Sequence, residues 1–411
     1  MNKTEAAVAL CAVGAEKVVS NELRKLDIKV EDSLYGRVRF KTDIAGLYRA
    51  LMGLRAADRV LLEIAHFKAE DFDALFEGTG AAAWERIVPK GIGLKVVKVR
   101  ANRSKLKAET SIQSIVHKAA AQRLCGKYKM NRLPEDGKAA ETRVYIEKDM
   151  VSLLLDLSGE PLFKRGYRSE GGTAPLRETT AAAILLLSGW KRKFPLYDPF
   201  CGSGTILIEA AMYAWDMAPG LGRRYAIEDM LIANGEIGQT VRDDFRSRID
   251  FNRVIRIAGS DDDPRTVSIA SSNMARLCDL AEGKTPQRGI RAHDKKQGII
   301  NLKALKMKDA IPLFSNQQEA SPDNSAHHLE RRVSNGIILT NPPYGKRLGD
   351  QSQAEQIYKE MGNLKERFPG WKLAVITDHS GFESFYGKKA NSCREISNGV
   401  IPSYFFQYEL L

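Results

Sequence analysis

Gly336-Ile337-Ile338-Leu339-Thr340 is a short apolar run that stops at Asn341-Pro342-Pro343-Tyr344-Gly345, and this junction restricts the fold more than any other stretch. An uninterrupted apolar run of that length predicts a strand covered on both faces, so the turn after it lies at the carboxyl end of a buried strand. Two prolines fix φ, remove two amide donors and hold Asn341 out of the α region, which leaves a rigid turn whose free groups are acceptors. An exocyclic amino group fits such a turn. Asn341 Oδ1 and the Pro342 carbonyl would each accept one of its hydrogens, Pro343 would stiffen the exit, and Tyr344 would stack on the attached base. Turns also favour Asn, Pro and Gly for conformational reasons alone, so the same residues suit a strand-ending turn without chemistry.

A buried strand of this kind needs parallel neighbours, and the second half of the chain supplies them. Leu196-Tyr197-Asp198 leads into a helix from Gly204 to Trp215, Val254 to Ala258 into one from Pro264 to Leu280, and Ile337 to Thr340 into one from Ala354 to Phe368. Lys372 to Thr377 adds a strand, and Ser392 to Ser397 with Ser403 to Leu410 reads as a closing antiparallel pair. Such alternation predicts a mostly parallel, doubly wound sheet, with ligands at the carboxyl ends of its strands.

Two of those strand ends are acidic. In Asp198-Pro199-Phe200-Cys201-Gly202-Ser203-Gly204-Thr205 the glycines let backbone approach a ligand closely. No Lys follows, which excludes a Walker phosphate loop, and Leu207 stands where a dinucleotide fingerprint has its third glycine. In Gly259-Ser260-Asp261-Asp262-Asp263, Asp261 is the residue expected to accept both hydroxyls of a ribose, while Asp262 or Asp263 caps the helix opening at Pro264. Asp309, after Leu305-Lys306-Met307-Lys308, is expected at a third strand end, where it would receive an adenine amino group.

The first half reads differently. Ala6 to Ala12, Leu34 to Phe40 and Ala57 to Ala65 read as strands, with helices at Ala15 to Leu26 and Asp43 to Leu54, predicting a split α+β unit. After it come helical turns at Asp71 to Glu77 and Ala82 to Ile87, and a strand from Leu94 to Arg100. A helix from Ser111 to Leu124, with Ser111 as N-cap, precedes a hairpin of Thr142 to Glu147 and Val151 to Asp156 around Lys148-Asp149. The net charge of +12 is unevenly spread: between Ile87 and Arg132 there are 12 basic residues, and Glu109 is the single acidic one. A solvated face normally mixes signs, so this stretch is expected to contact phosphates. The boundary between the halves is expected in Gly166 to Gly172, with Thr173 or Pro175 opening a helix to Ser188.

With 411 residues and 43% hydrophobic content the chain can bury more than one core. It has no 18-residue apolar run and no signal-peptide core at its N-terminus, so it is expected to be cytoplasmic, without a membrane partner. Its five cysteines (Cys11, Cys125, Cys201, Cys278, Cys393) are scattered, and His66, His117, His293, His327, His328 and His379 have no metal spacing, so neither disulfides nor a metal is expected. Cys201 lies in the glycine loop, away from the acceptor turn, which disfavours it as a covalent nucleophile.

Taken together, Asp198-Pro-Phe-Cys-Gly-Ser-Gly-Thr205, Gly259-Ser-Asp-x-Asp263 and Asn341-Pro-Pro-Tyr-Gly345-Lys-Arg-Leu-Gly349 resemble the S-adenosylmethionine-dependent RNA guanine-N2 methyltransferases. Cys11-Ala-Val-Gly14, Gly36-Arg-Val-x-Phe40, Leu54-Arg-Ala-Ala-Asp-Arg-Val60 and the basic unit up to Gly166-Tyr-Arg168 are similar to the front end of that family's bacterial ribosomal members. The resemblance implies an α/β chain of three parts: a ferredoxin-like domain over residues 1–66, a THUMP RNA-binding domain over 67–168 and a Rossmann-like class I methyltransferase domain over 169–411. It implies S-adenosylmethionine as cofactor, held by Asp198, Phe200, Cys201, Gly202, Gly204, Thr205, Asp261 and Asp309. Asn341, Pro342, Pro343 and Tyr344 would carry the reaction, and the partner would be RNA, in particular 23S ribosomal RNA. The chain departs from the family at Met230, where a Trp is usual, and in the polar insertion Leu313 to Asn335. Adenine-N6 methylation of DNA uses the same turn geometry, and a non-catalytic RNA-binding or ribosome-assembly factor could keep the fold; oligomeric state is not written in the sequence.

Overall fold

In the computed structural model the described residues are 4–168, 176–281, 300–310, 335–343, 351–399 and 401–410. They divide into two compact units that alternate along the chain: Met1–Cys11, Val19–Leu162 and Arg223–Asp244 form one, and Ala12–Val18, Phe163–Gly222 and Phe245–Leu411 the other.

The first unit is built on one seven-stranded sheet. Its strands are β1 (Glu5–Cys11), β2 (Lys29–Leu34), β3 (Arg37–Thr42), β4 (Ala57–Lys68), β5 (Gly93–Asn102), β6 (Ala139–Glu147) and β7 (Met150–Asp156), in the order β2-β3-β1-β4-β7-β6-β5. The single strand expected from Leu34 to Phe40 is instead a hairpin, with Leu34 opposite Arg37 across a two-residue turn. Gly36 takes a φ of 68°, and the chain reverses there. At the other hairpin Lys148 and Asp149 both have positive φ, as a two-residue turn between right-twisted strands requires. β5 and β6 are parallel, so the chain must cross over between them, which it does through α4 (Glu109–Tyr128).

Helices α1 (Glu16–Lys25, of which Val19 onward belongs to this unit), α2 (Ile44–Gly53) and α3 (Phe72–Ala81) precede α4, and α7 (Gly235–Ser247, as far as Asp244) joins from later in the chain. Asp43 and Asp71 cap α2 and α3 by accepting from Gly46 N and Ala74 N, both at 2.8 Å. The cap expected at Ser111 lies inside α4, whose first turn opens after Ala108 without a side-chain cap. Leu23, Val38, Phe40, Leu47, Val60 and Leu62 are fully buried and form the core under the sheet.

The second unit carries the expected doubly wound sheet. Its strands are β8 (Leu196–Asp198), β9 (Ile257–Asp261), β10 (Asn301–Ala304), β11 (Ile337–Thr340), β12 (Lys372–Thr377), β13 (Ser392–Asn398) and β14 (Ile401–Glu409), in the order β10-β9-β8-β11-β12-β14-β13. β10 through β12 are parallel, and β14 runs antiparallel between β12 and β13. Strand order reverses between β8 and β11, so their carboxyl ends flank the switch point where such sheets bind ligands.

The helices are α5 (Glu178–Leu187), α6 (Thr205–Ala214), α8 (Pro264–Ala281), α9 (Gln351–Met361), α10 (Leu364–Arg367) and α11 (Phe382–Tyr386). The single helix expected from Ala354 to Phe368 is thus two, α9 and α10. The start expected at Thr173 or Pro175 lies outside the described residues, and α5 opens after Arg177. The strand expected from Val254 runs from Ile257, because Val254 is 63% exposed and the buried run begins only at Ile257. An aromatic core of Tyr197, Tyr358, Phe368, Trp371, Phe382 and Phe406 packs against the sheet, with Tyr197 stacked on Phe368 at 5.5 Å. Among the described residues no helix is long and apolar enough to cross a membrane.

Candidate active site

β8 ends at Asp198, and the loop after it is pinned to the neighbouring strand before α6 begins. Cys201 N donates to Ser260 O at 2.9 Å, and Gly202 N donates to Asp261 Oδ2 at 2.9 Å. Gly202 (φ 50°) and Gly204 (φ 80°) are both in the left-handed region, where a side chain would be strained. A Cβ on Gly204 would also stand 3.0 Å from that of Ala270, so this glycine lets α6 and α8 approach. Outside the loop, Arg168 donates to Ser203 Oγ at 3.2 Å, Thr205 Oγ1 at 3.0 Å and Glu178 Oε1 at 2.9 Å.

Asp198 is 1% exposed, and its Oδ1 accepts from Thr340 Oγ1 at 2.6 Å and from Phe200 N at 3.1 Å. Burial pushes its carboxyl up to about 7, the two hydrogen bonds pull the other way, and the charge of Asp261 adds to the rise. The Cys201 thiol is pushed well up by burial and then by the Asp198 and Asp261 charges, the reverse of what a nucleophilic thiolate needs. Asp261 accepts from Gly202 N and, through Oδ1, from Asp263 N at 3.1 Å. Asp263 caps α8: Thr266 N and Val267 N donate to its carbonyl, and its carboxylate takes Arg265 N. The carboxylate of Asp261 therefore stays at the strand end instead of turning into the helix.

Asn341 follows β11 directly. It lines, with Pro343, a cavity of about 490 Å³ whose other walls include Asp198, Phe200, Cys201, Gly202, Thr205 and Asp261. Eight of the expected site residues thus meet at one concavity. Pro342 is buried behind it and Gly204 sits in the helix start, and neither lines it. Asp309 is exposed and does not line it either. The strand expected to deliver Asp309 ends at Ala304, and the chain then makes a short 3-10 turn from Met307 to Asp309. That turn brings Lys306, Met307 and Lys308 to the wall in its place.

Ile357, Gln353 and Glu360, from one face of α9, complete that side and were not anticipated, because their spacing reads as ordinary amphipathic helix. Tyr344 lies outside the described residues, as do His293, His327, His328 and residues 313–334 of the polar insertion. Among the described residues no three His, Cys, Asp or Glu side chains gather as a metal site would need. All five cysteines are unbridged.

A cavity of this size is within the range of small-molecule sites. A carboxylate at the end of β9, an open glycine loop at the end of β8 and an amide at the end of β11 together offer acceptors for a diol, close backbone for a chain-like ligand, and acceptors for an amine. The chain matches the family described as "RMKL-like, methyltransferase domain" over residues 165–288 and 286–405, and that described as "RlmL ferredoxin-like domain" over 6–61.

The Bacillus subtilis protein named "Putative RNA methyltransferase YpsC" is 34% identical over 98% of this chain and 95% of its own length. "Ribosomal RNA large subunit methyltransferase K/L" of Syntrophotalea carbinolica is 32% identical over 97% of this chain but 52% of its own length, so this chain spans about half of that relative. The structure of SMU.472, described as "a putative methyltransferase complexed with SAH", is 34% identical with a TM-score of 0.81, covering 100% of this chain and 99% of that one. A Listeria monocytogenes protein described as a "predicted N6-adenine-specific DNA methylase" is 34% identical with a TM-score of 0.82, covering 99% and 96%.

Proposed function

We propose that this chain, which belongs to the RMKL-like methyltransferase family, methylates the exocyclic N2 amine of a guanine in RNA, with large-subunit ribosomal RNA as the substrate class. The observation that carries the reading is the shared cavity: the loop Asp198 to Gly202, the carboxylate of Asp261 and the amide of Asn341 line one space. S-adenosylmethionine, as cofactor, supplies a sulfonium methyl; its transfer breaks the C–S bond, forms the N–C bond, and leaves S-adenosylhomocysteine and one proton.

The chain's own residues hold and orient. Asp261 accepts the ribose hydroxyls, since each of its oxygens keeps a lone pair beside the amide it already accepts from. The glycine loop lets the backbone come close. Asn341 Oδ1 at the cavity wall and the Pro342 carbonyl set behind it, once the base is seated, accept the two amine hydrogens, which turns the nitrogen lone pair toward one point and favours the positive charge that builds there. No nucleophile is required, and alignment of this kind supplies on the order of 7 to 11 kcal/mol in the best cases. A paired guanine cannot enter, so the target is unpaired or flipped out.

The ferredoxin-like part, a THUMP-type part over residues 67–168 and a catalytic part over 169–411 would divide the work between RNA capture and chemistry. In the first unit Arg103, Lys105 and Lys107 are exposed around one concavity, as a phosphate-contacting surface requires.

The name given to the Listeria relative favours a second reading, adenine-N6 methylation of DNA, which the same acceptor pair could serve. Nucleoside mass spectrometry of RNA from a strain lacking this chain separates the two. Loss of N2-methylguanosine supports the proposal; unchanged RNA with loss of N6-methyladenine from DNA refutes it. In vitro, Asn341→Ala should abolish transfer of labelled methyl to that RNA while its RNA affinity stays within about twofold.

A further inference from the structure

Two consecutive prolines deprive the acceptor turn of the amide donors that usually anchor a turn. Among the described residues, side-chain hydroxyls reach its flanks at Thr340 and Pro343. Upstream, Thr340 is fully buried and donates from Oγ1 to Asp198 Oδ1 at 2.6 Å, tying the last residue before Asn341 to the first residue of the glycine loop. Downstream, the Tyr358 hydroxyl lies 3.4 Å from the Pro343 carbonyl, to which it donates, and 3.1 Å from Thr377 Oγ1.

Thr377 Oγ1 accepts from His379 N at 3.2 Å and lies 3.1 Å from the Tyr358 hydroxyl, where its own proton can serve the tyrosine oxygen while the tyrosine proton goes to Pro343. The ring cannot swing away: Tyr358 is fully buried, edge-on to Phe382 at 4.9 Å and to His379 at 5.7 Å. The Tyr358 hydroxyl is directed at the turn itself, and that of Thr340 at Asp198, the first residue of the glycine loop.

We infer that Thr340 and Tyr358 are positioning residues of this centre, two hydroxyl tethers that fix the double-proline turn against the cofactor loop and so set the angle at which the acceptor amine is presented. The inference rests on the reading of Asn341 to Pro343 as the acceptor turn. A turn with no tether would still bind, but the amine would sample directions that do not lead to transfer, and misplacement by about 1 Å can cost on the order of 100-fold in rate.

The test uses the full chain, tritiated S-adenosylmethionine and total RNA from a strain lacking this chain, with S-adenosylhomocysteine affinity measured by calorimetry. Tyr358→Phe keeps the packed ring and removes only the hydroxyl; kcat is expected to fall about tenfold while KM for the cofactor and S-adenosylhomocysteine affinity stay within about twofold. Thr340→Val is expected to lower kcat at least as far, and Thr340→Ser, which restores the hydroxyl, to recover it to within about twofold of the parent.

The inference is overturned if Tyr358→Phe and Thr340→Val both turn over at the parental rate while Asn341→Ala is dead. It is equally overturned if Thr340→Ser is as slow as Thr340→Val, since returning the hydroxyl would then recover nothing. Turnover retained by Asn341→Ala would instead remove the acceptor reading itself.

Discussion

Asp198 is a buried acid at the head of the glycine loop. Its carboxyl is pushed up from an unfolded value near 3.8 to about 7 by burial, so between those limits the folded chain holds a proton that the unfolded chain has lost. By linkage, stability falls as pH rises through that window and levels off above about 7, where the buried carboxylate is ionised in both states. Asp198→Asn keeps an oxygen for Thr340 and Phe200 but cannot ionise. Its melting temperature relative to the parent is therefore expected to rise between pH 5 and pH 8 in thermal scans. A difference that is flat across that range would mean that Asp198 titrates as an ordinary surface acid. This residue was legible in the sequence because an acid at the end of an apolar strand is costly without a reason. Met307 and Ile357 were not legible, since an apolar side chain that lines a cavity is written in the same letters as one that fills a core. Asp309 stands off the cavity wall for a related reason: the strand expected to deliver it stops at Ala304, and neither composition nor spacing fixes where an edge strand ends.

The alternation of elements in the second unit was readable because buried parallel strands and amphipathic helices differ in period. Boundaries were less so. Leu34 to Phe40 reads as one strand although the chain turns back at Tyr35-Gly36, and no element is expected at α7, which packs on residues far away in sequence, with Tyr48 against Gly238. At this scale the loop between β8 and α6 depends on one residue of β9. A Cβ on Gly259 would stand 2.4 Å from Leu207 Cδ1, 3.0 Å from Cys201 Cβ and 3.3 Å from Asp198 O. Gly259→Ala must therefore displace the Leu207 side chain and press on Cys201 and Asp198, which loosens the close approach that Cys201 N to Ser260 O and Gly202 N to Asp261 record. A stability loss on the order of 1–3 kcal/mol is expected in denaturant titration, with S-adenosylhomocysteine affinity reduced as well. Unchanged affinity in a destabilised variant would detach the loop from the cofactor role proposed for it.

For the whole molecule, the sequence reading placed its parts end to end, whereas the structure takes residues 12–18 into the second unit and 223–244 into the first. Contacts of that kind join distant positions, Val13 N to Ser397 Oγ at 3.0 Å and Leu231 N to Ile87 O at 2.8 Å, and no local pattern announces them. What the sequence did carry at this scale was charge: 12 basic residues against one acidic between Ile87 and Arg132. The fold leaves Arg103, Lys105 and Lys107 of that stretch exposed around one concavity of about 500 Å³ with Asp149. Lys105 is engaged by the exposed Glu70, a pair that solvent screens and that a phosphate can replace. If RNA is captured there, each phosphate neutralised releases counterions, and the slope of log affinity against log salt changes by about 0.7 to 0.9 per contact. Replacing all three residues with alanine should then weaken binding of deproteinised RNA and flatten that slope by about 2 to 3, while S-adenosylhomocysteine affinity in the second unit is unchanged. An unaltered slope would place the capture surface elsewhere, because a screened Coulombic contact cannot be removed without removing its salt dependence.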